Sequence, residues 1–334
     1  MGALRIGLVF DLLGSHQPGA DLPPDADAEF EPEATIEALE AGIRRLGHEP
    51  VRLGSPHALL EAGARGALPA LDAALDIAEG YGSRNREAWA PVLLEMLEIP
   101  ALGSDALTLS LSLDKAWTKD VVGAAGVPAP PHAVLRSGEE ARHAAAPGPF
   151  PLFVKPRWEG TAKGIAATSR VEDGEALVRE VERIVRLYRQ PALVEPFLSG
   201  PEYTVTVVGN DPSRALPVLQ RALERRTGIG LHALEGAPGA SVHDHVLPGA
   251  LDAALEKRLG ELALTAFGAL ECRDFARVDF RLDARGEPFF LEINPLPTFA
   301  PDGSFGILAE LEGRPLPELL AEVIAGGLRR LGLR

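Results

Sequence analysis

The stretch 276-ARVDFRLDARGEPFFLEINP-295 alternates apolar and polar residues on both sides of a short turn. Ala276, Val278, Phe280 and Leu282 fall on one face of an extended strand, and Arg277, Asp279, Arg281 and Asp283 on the other. The residues ARGE suit a hairpin loop, and PFFLEIN is the returning strand, which Pro295 and Pro297 stop. If Asp283 pairs with Pro288, the antiparallel register sets Asp279 opposite Glu292 and Arg277 opposite Asn294. Directly opposed side chains lie about 4.5–5.5 Å apart at Cβ, where like charges are destabilising. A sheet that keeps two carboxylates there points to a cation between them. Asp279, Glu292 and Asn294 are hard oxygen donors suited to Mg²⁺, with Mn²⁺ second, and Arg277 beside them can neutralise a phosphoryl group. The competing reading is a solvated edge hairpin with ordinary surface charges.

Upstream, 151-PLFVKPRWEGTAKGI-165 puts Lys155 at the end of an apolar strand. A polar loop follows with Glu159, Gly160, Thr161, Lys163 and Gly164, and then a further strand in GIAATSRV. Glycines let backbone N–H groups approach an anion, and the lysine adds a point charge. Lys115 opens a helix after LSLD. In 193-LVEPFLSGPEYTV-205 a strand breaks at Pro196 and resumes, a connection able to read an adenine edge, with Glu202 placed for ribose hydroxyls. An ordinary surface loop and an ordinary hinge are the competing readings of these two segments.

The first hundred residues alternate strand-like runs (LRIGLVF, EPVRL, DAALDIAEG, IPALG) with helical patterns (EATIEALEAGIRRLG, REAWAPVLLEMLE). This argues for a parallel sheet with helices on its faces. The turn FDLLGSHQPG lacks the G-x-G-x-x-G spacing, so an oxidoreductase dinucleotide site loses its support. A helix runs from near Asp114 to Gly126, and 128–151 reads as a linker with one small helix. Two α+β units follow.

At 334 residues and 46% hydrophobic, the chain can hold two or three cores. Its 33 basic against 48 acidic residues leave a formal charge of −15, which repels nucleic acid and anionic membranes. No apolar run reaches the roughly 18 residues of a membrane span, and no signal-peptide pattern opens the chain, so the expected location is cytoplasmic. Cys272 is the sole cysteine and reads as a buried apolar residue.

Taken in order, SLDKAWTK, FPLFVKPRWEGTAKGI, LVEPFLSGPEYTV and ARVDF with LEINP resemble the ATP-grasp superfamily, and within it the D-alanine:D-alanine ligases. The resemblance implies an α/β N-terminal parallel-sheet domain (1–112, Rossmann-like, pre-ATP-grasp) and two α+β subdomains forming an ATP-grasp fold. Of these, 113–195 would be the lid subdomain and 196–334 the catalytic one. It implies ATP and Mg²⁺ as cofactors, small-molecule carboxylate and amine substrates, a homodimer, and an amide product formed through an acyl phosphate. By the same resemblance Lys115 and Lys155 contact phosphates, and the loop from Glu159 to Gly164 closes over them. Glu195 and Leu198 read adenine through their backbones at the hinge that includes Phe197, and Glu202 takes the ribose. Asp279, Glu292 and Asn294 hold the metal, and Arg277 steadies the intermediates.

This chain departs from the family pattern around the substrates. After Asn294 the turn is PLPT rather than Thr-x-Pro-Gly, leaving Ser304 as a stand-in for the serine that holds the second substrate's carboxylate. AEGYGSRNREAW stands where the family has a histidine-glycine turn, making Arg84 and Arg86 candidates for a substrate carboxylate. The family's loop lysine has no counterpart in RRTGIGLHALEGAPGASVHDHV; Arg221, Arg225 and Arg226 are the available cations. His232, His243 and His245 lack a convincing third ligand and read as solvated. A cyclising or tailoring ligase and an inactive ATP-binding module are the alternative functions.

Overall fold

Strand β1 (Arg5–Val9) is buried along nearly its whole length, as a strand covered on both faces must be. In the computed structural model, which describes residues 2–15, 23, 25–221 and 251–333, it lies at the centre of a parallel sheet. It pairs with β2 (Glu49–Gly54) on one side and β3 (Ala73–Asp76) on the other, and β4 (Ala101–Leu102) extends the sheet beyond β3. Helices α1 (Glu33–Arg45), α2 (Pro56–Ala64) and α3 (Trp89–Met96) connect these strands. Helix α2 is absent from the sequence reading although Ser55 caps it and Pro56 opens it, both ordinary start signals.

The expected helix from near Asp114 is α5 (Lys115–Ala124), capped by Asp114, and the structure adds α4 (Ala106–Leu113), capped by Asp105, before it. The second sheet is antiparallel, in the order β5 (Ala133–Leu135), β8 (Ala192–Pro196), β6 (Leu152–Pro156), β7 (Arg170–Val171). Its helices are α6 (Gly138–His143) and α7 (Gly174–Tyr188). The supposed linker 128–151 therefore holds a strand as well as a helix. Of GIAATSRV only Arg170–Val171 is strand, because a 3₁₀ turn over Ala167–Ser169 precedes it.

The third sheet is built on β9 (Glu202–Gly209), which takes β10 (Ser213–Ala215) and β11 (Leu219–Arg221) along one edge and β12 (Phe275–Leu282) along the other. β13 (Pro288–Asn294) completes it beside β12. Helix α8 (Ala253–Ala269) covers this sheet together with α5, whose Val122 shares a core with Val205, Val207, Phe280 and Phe290. After β13 come α9 (Ser304–Leu311) and α10 (Leu316–Arg330). The last helix returns to the first sheet, and its Leu319, Leu320, Val323 and Ile324 share a core with Ile36, Leu39 and Ile43 of α1.

The register across the β12–β13 hairpin is as expected at the polar end, with Arg277 opposite Asn294 and Asp279 opposite Glu292. It slips by one residue at Phe280, so Leu282 rather than Asp283 faces Pro288. Two interactions account for the slip. Asp283 turns into the loop, where its carboxylate accepts from the N–H groups of Arg285 at 2.8 Å and Glu287 at 2.9 Å. At the bulge itself, the buried Lys119 ammonium donates to the consecutive carbonyls of Phe290 at 3.0 Å and Leu291 at 2.9 Å.

Candidate active site

A cleft opens between the second and third sheets. Lys155, Glu195, Phe197 and Leu198 line it from the second sheet and its exit, and Glu202, Arg277, Asp279 and Glu292 from the third. Lys115 reaches it from the start of α5, and Glu159, Thr161 and Lys163 close it from the glycine loop. Residues about 180 positions apart thus meet in one place because β6, β8, β9, β12 and β13 all contribute to its walls.

Within the cleft, charges are paired at short range. Lys155 lies 2.8 Å and Lys119 3.2 Å from the two oxygens of Glu195, and Lys115 lies 3.1 Å from Glu292. Burial alone would raise the Glu195 carboxyl, yet the two lysines outweigh it and hold it at about 2. Glu292 behaves likewise: burial opposes ionisation, and Lys115, Lys155 and Arg277 bring it to about 2. Burial, the largest effect on Lys119, lowers its ammonium to about 8. Lys119 escaped the sequence reading, although its position four residues after Lys115 puts both on one face of α5. Glu195, chosen for its backbone carbonyl, turns out to carry a buried side-chain ion pair as well.

At the acidic hairpin, Asp279 accepts from Thr204 at 2.9 Å and is gripped by Arg277 at 3.1 Å. Arg221 and Arg281 join it in the cleft. Asn294 Oδ1 accepts from the Leu296 N–H at 2.8 Å, and its side chain borders a smaller recess next to the cleft. Among the described residues no three His, Cys, Asp or Glu side chains gather into an all-protein metal cage. Two carboxylates and an amide instead suit Mg²⁺, which keeps water and phosphate oxygens in its shell.

The glycine loop is tied to the N-terminal part of the chain. Glu29 accepts from the Gly160 N–H at 2.6 Å, lies 2.6 Å from Lys163, and takes two contacts at 3.1 Å from Arg86. Asp25 accepts from the Gly164 N–H at 2.8 Å and from Tyr188. Thr161 (φ 46°) and Ala162 (φ 56°) are both left-handed, and both line the cleft. The sequence reading does not mark Glu29 or Asp25, since nothing local singles out an acid whose partners on the glycine loop lie more than 130 positions away.

Three candidates fall elsewhere. The carboxylate that Arg86 holds is the protein's own Glu29, and Arg86 also donates to the Trp158 carbonyl at 2.8 Å. Arg84 stacks over Trp117 at 4.6 Å and lines a separate pocket. Ser304 opens α9 and does not line the cleft. Cys272 is buried, as expected, and burial pushes its thiol up to about 12. Arg225, Arg226, His232, His243 and His245 lie outside the described residues.

Paired antiparallel sheets gripping a polar cleft behind a parallel-sheet domain constitute the ATP-grasp architecture of ATP-dependent ligases. Residues 121–325 match the family described as D-ala D-ala ligase C-terminus. A D-alanine–D-alanine ligase of Desulforudis audaxviator is 35% identical over 73% of this chain and 78% of its own. One from Alcanivorax borkumensis is 32% identical over 88% of both. The structure of the Bacillus anthracis D-alanine–D-alanine ligase complexed with ATP superposes over 99% of both chains, with a TM-score of 0.69 at 22% identity. The chain belongs to the D-alanine–D-alanine ligase family and is an ATP-dependent ligase that joins a carboxylate to an amine.

Proposed function

We propose that the chain forms an amide or peptide bond between small amino acid-like substrates through an acyl phosphate. The observation that carries this reading is the opposition of Asp279 and Glu292 in one register, with Arg277, Lys115 and Lys155 converging on the same cleft. In the first step a carboxylate oxygen of the acid attacks the γ-phosphorus of ATP as the bond to ADP breaks. In the second the amine nitrogen attacks the acyl carbon, phosphate leaves with the C–O bonding electrons, and the nitrogen gives up a proton.

Such transfers depend mainly on positioning and charge neutralisation. Lys115 and Lys155 face the phosphates, the loop 159–164 closes over them, and Arg277 neutralises the charge that develops on the transferred group. The backbone of Glu195 and Leu198, with Phe197, takes the adenine, and Glu202 the ribose. Asp279, Glu292 and Asn294 would hold Mg²⁺, which when bound supplies further neutralisation of phosphate charge. The reading includes a cytoplasmic homodimer and units divided near 112 and 195, although α5 packs into the core of the third unit.

Phosphate release from ATP in the presence of Mg²⁺ and pooled amino acids is the direct test. Asp279→Ala and Glu292→Ala are each expected to reduce it at least about 100-fold. Full turnover in both variants, or no release across a wide panel of acids and amines, counts against the proposal.

A further inference from the structure

Beside the cleft, and sharing Lys115, Thr161 and Glu292 with it, lies a recess whose far wall carries Glu29, Glu79 and Glu87. These carboxylates are not equivalent. Glu29 is saturated by Arg86, Lys163 and the Gly160 N–H, which together outweigh its burial. Glu87 is only 6% exposed and lines the recess, yet among the described residues it has no hydrogen bond or ion pair. Glu79 lines the same recess and likewise has no such partner among them.

Local structure explains the arrangement. Arg86 and Glu87 are consecutive in a 3₁₀ turn over Arg86–Ala88, and Arg86 is drawn to Glu29 and the Trp158 carbonyl. Arg86, the largest charge opposing the burial of Glu87, thus spends its hydrogen bonds elsewhere, and together with the weaker effects of Lys115 and Lys163 it only partly offsets that burial. A buried carboxylate without a partner is among the more costly groups a fold can keep. Burial pushes Glu87 up to about 7 and Glu79 well above the usual carboxylate range, and the mutual repulsion of the acids adds to both shifts. A positively charged ligand removes that cost.

We propose that this recess receives the positive groups of the acid substrate, and that the substrate is an amino acid with a basic side chain. The choice rests on charge. Two carboxylates with no hydrogen-bond or ion-pair partner among the described residues match two positive groups, a neutral amino acid offers one, and a dicarboxylic acid adds repulsion. The recess adjoins Lys115 and Glu292, where the acid must meet the γ-phosphate. The inference rests on the ligase reading above.

The test is calorimetric titration of the protein, loaded with Mg²⁺ and a non-hydrolysable ATP analogue, with matched pairs of acids. Lysine is compared with norleucine, and 2,3-diaminopropionate with alanine, each as both enantiomers. The basic member of at least one pair should bind at least about tenfold more tightly, the size of one charge-assisted contact. Glu79→Gln and Glu87→Gln preserve side-chain volume and should each erase that preference while the Kd of the ATP analogue stays unchanged. Equal or tighter binding of the neutral members, no binding of any acid, or a preference that survives in both variants overturns the inference. Failure of the ligase reading is separately visible, as absence of phosphate release with every acid and amine whatever the binding.

Discussion

Glu195 and Glu87 are both buried carboxylates, and their surroundings drive them in opposite directions. Burial raises each, but Lys119 and Lys155 reverse the sign at Glu195, whereas Arg86, Lys115 and Lys163 only partly offset it at Glu87. The folded pKa of Glu195, about 2, lies below its ordinary 4.5, so its stabilisation is complete above pH 4.5 and disappears as pH falls toward 2. Glu87, raised from 4.5 to about 7, works the other way: stability is lost as pH rises between those values. Glu87→Gln should therefore stabilise the protein by about 1–3 kcal/mol at pH 8 and by nearly nothing at pH 4.5. Urea unfolding at the two pH values checks this, and a variant less stable than wild type at pH 8 contradicts it. A sequence reader sees two similar glutamates here, because the charges around each come mostly from distant segments.

At the scale of elements, helix α10 shows packing overriding propensity. Gly327 lies within it, where alanine would ordinarily favour the helix by about 1 kcal/mol. An added Cβ would lie 2.5 Å from Leu102 Cδ2 and 2.7 Å from Asp274 Oδ2. Asp274 cannot yield, since Arg330 and the Gly103 N–H hold the same oxygen at 2.7 Å. Gly327→Ala is expected to destabilise by about 1–3 kcal/mol in denaturant unfolding, and a gain in stability would refute this account. The β12–β13 hairpin illustrates how far alternation reaches. It correctly opposes Asp279 and Glu292, because side-chain direction along a strand repeats every two residues. It misses the bulge, because Lys119, which holds the carbonyls there, lies on a helix 171 positions away.

Across the whole molecule, the end of the chain completes the core of its beginning. Leu319, Leu320, Val323, Ile324 and Leu328 of α10 are buried with Ile36, Leu39 and Ile43 of α1. At roughly 1.5–3 kcal/mol per buried aliphatic side chain, those five residues of α10 contribute about 7–15 kcal/mol, comparable to the entire stability of a domain. A chain ending at Pro315 should not form the first sheet natively. The expected result is aggregation or loss of the near-ultraviolet dichroism of Trp89, and a soluble truncated protein with native dichroism would disprove it. The glycine loop also depends on this scale, since the carboxylates that tie it down belong to the N-terminal part of the chain.

Sequence by itself determined most of the order of strands and helices, the acid–amide–arginine set with its register at the polar end of the hairpin, and the lysines at a strand end and a helix start. All of these are written in short-range periodicity and in motifs contiguous along the chain. Only the tertiary structure decided which charges are spoken for. Arg86 answers to Glu29, Glu195 to Lys119 and Lys155, and Glu87 to none of the described residues. The physical reason is that the state of a buried charge depends on what lies within a few ångströms of it. Here those neighbours come from segments tens to more than a hundred residues apart.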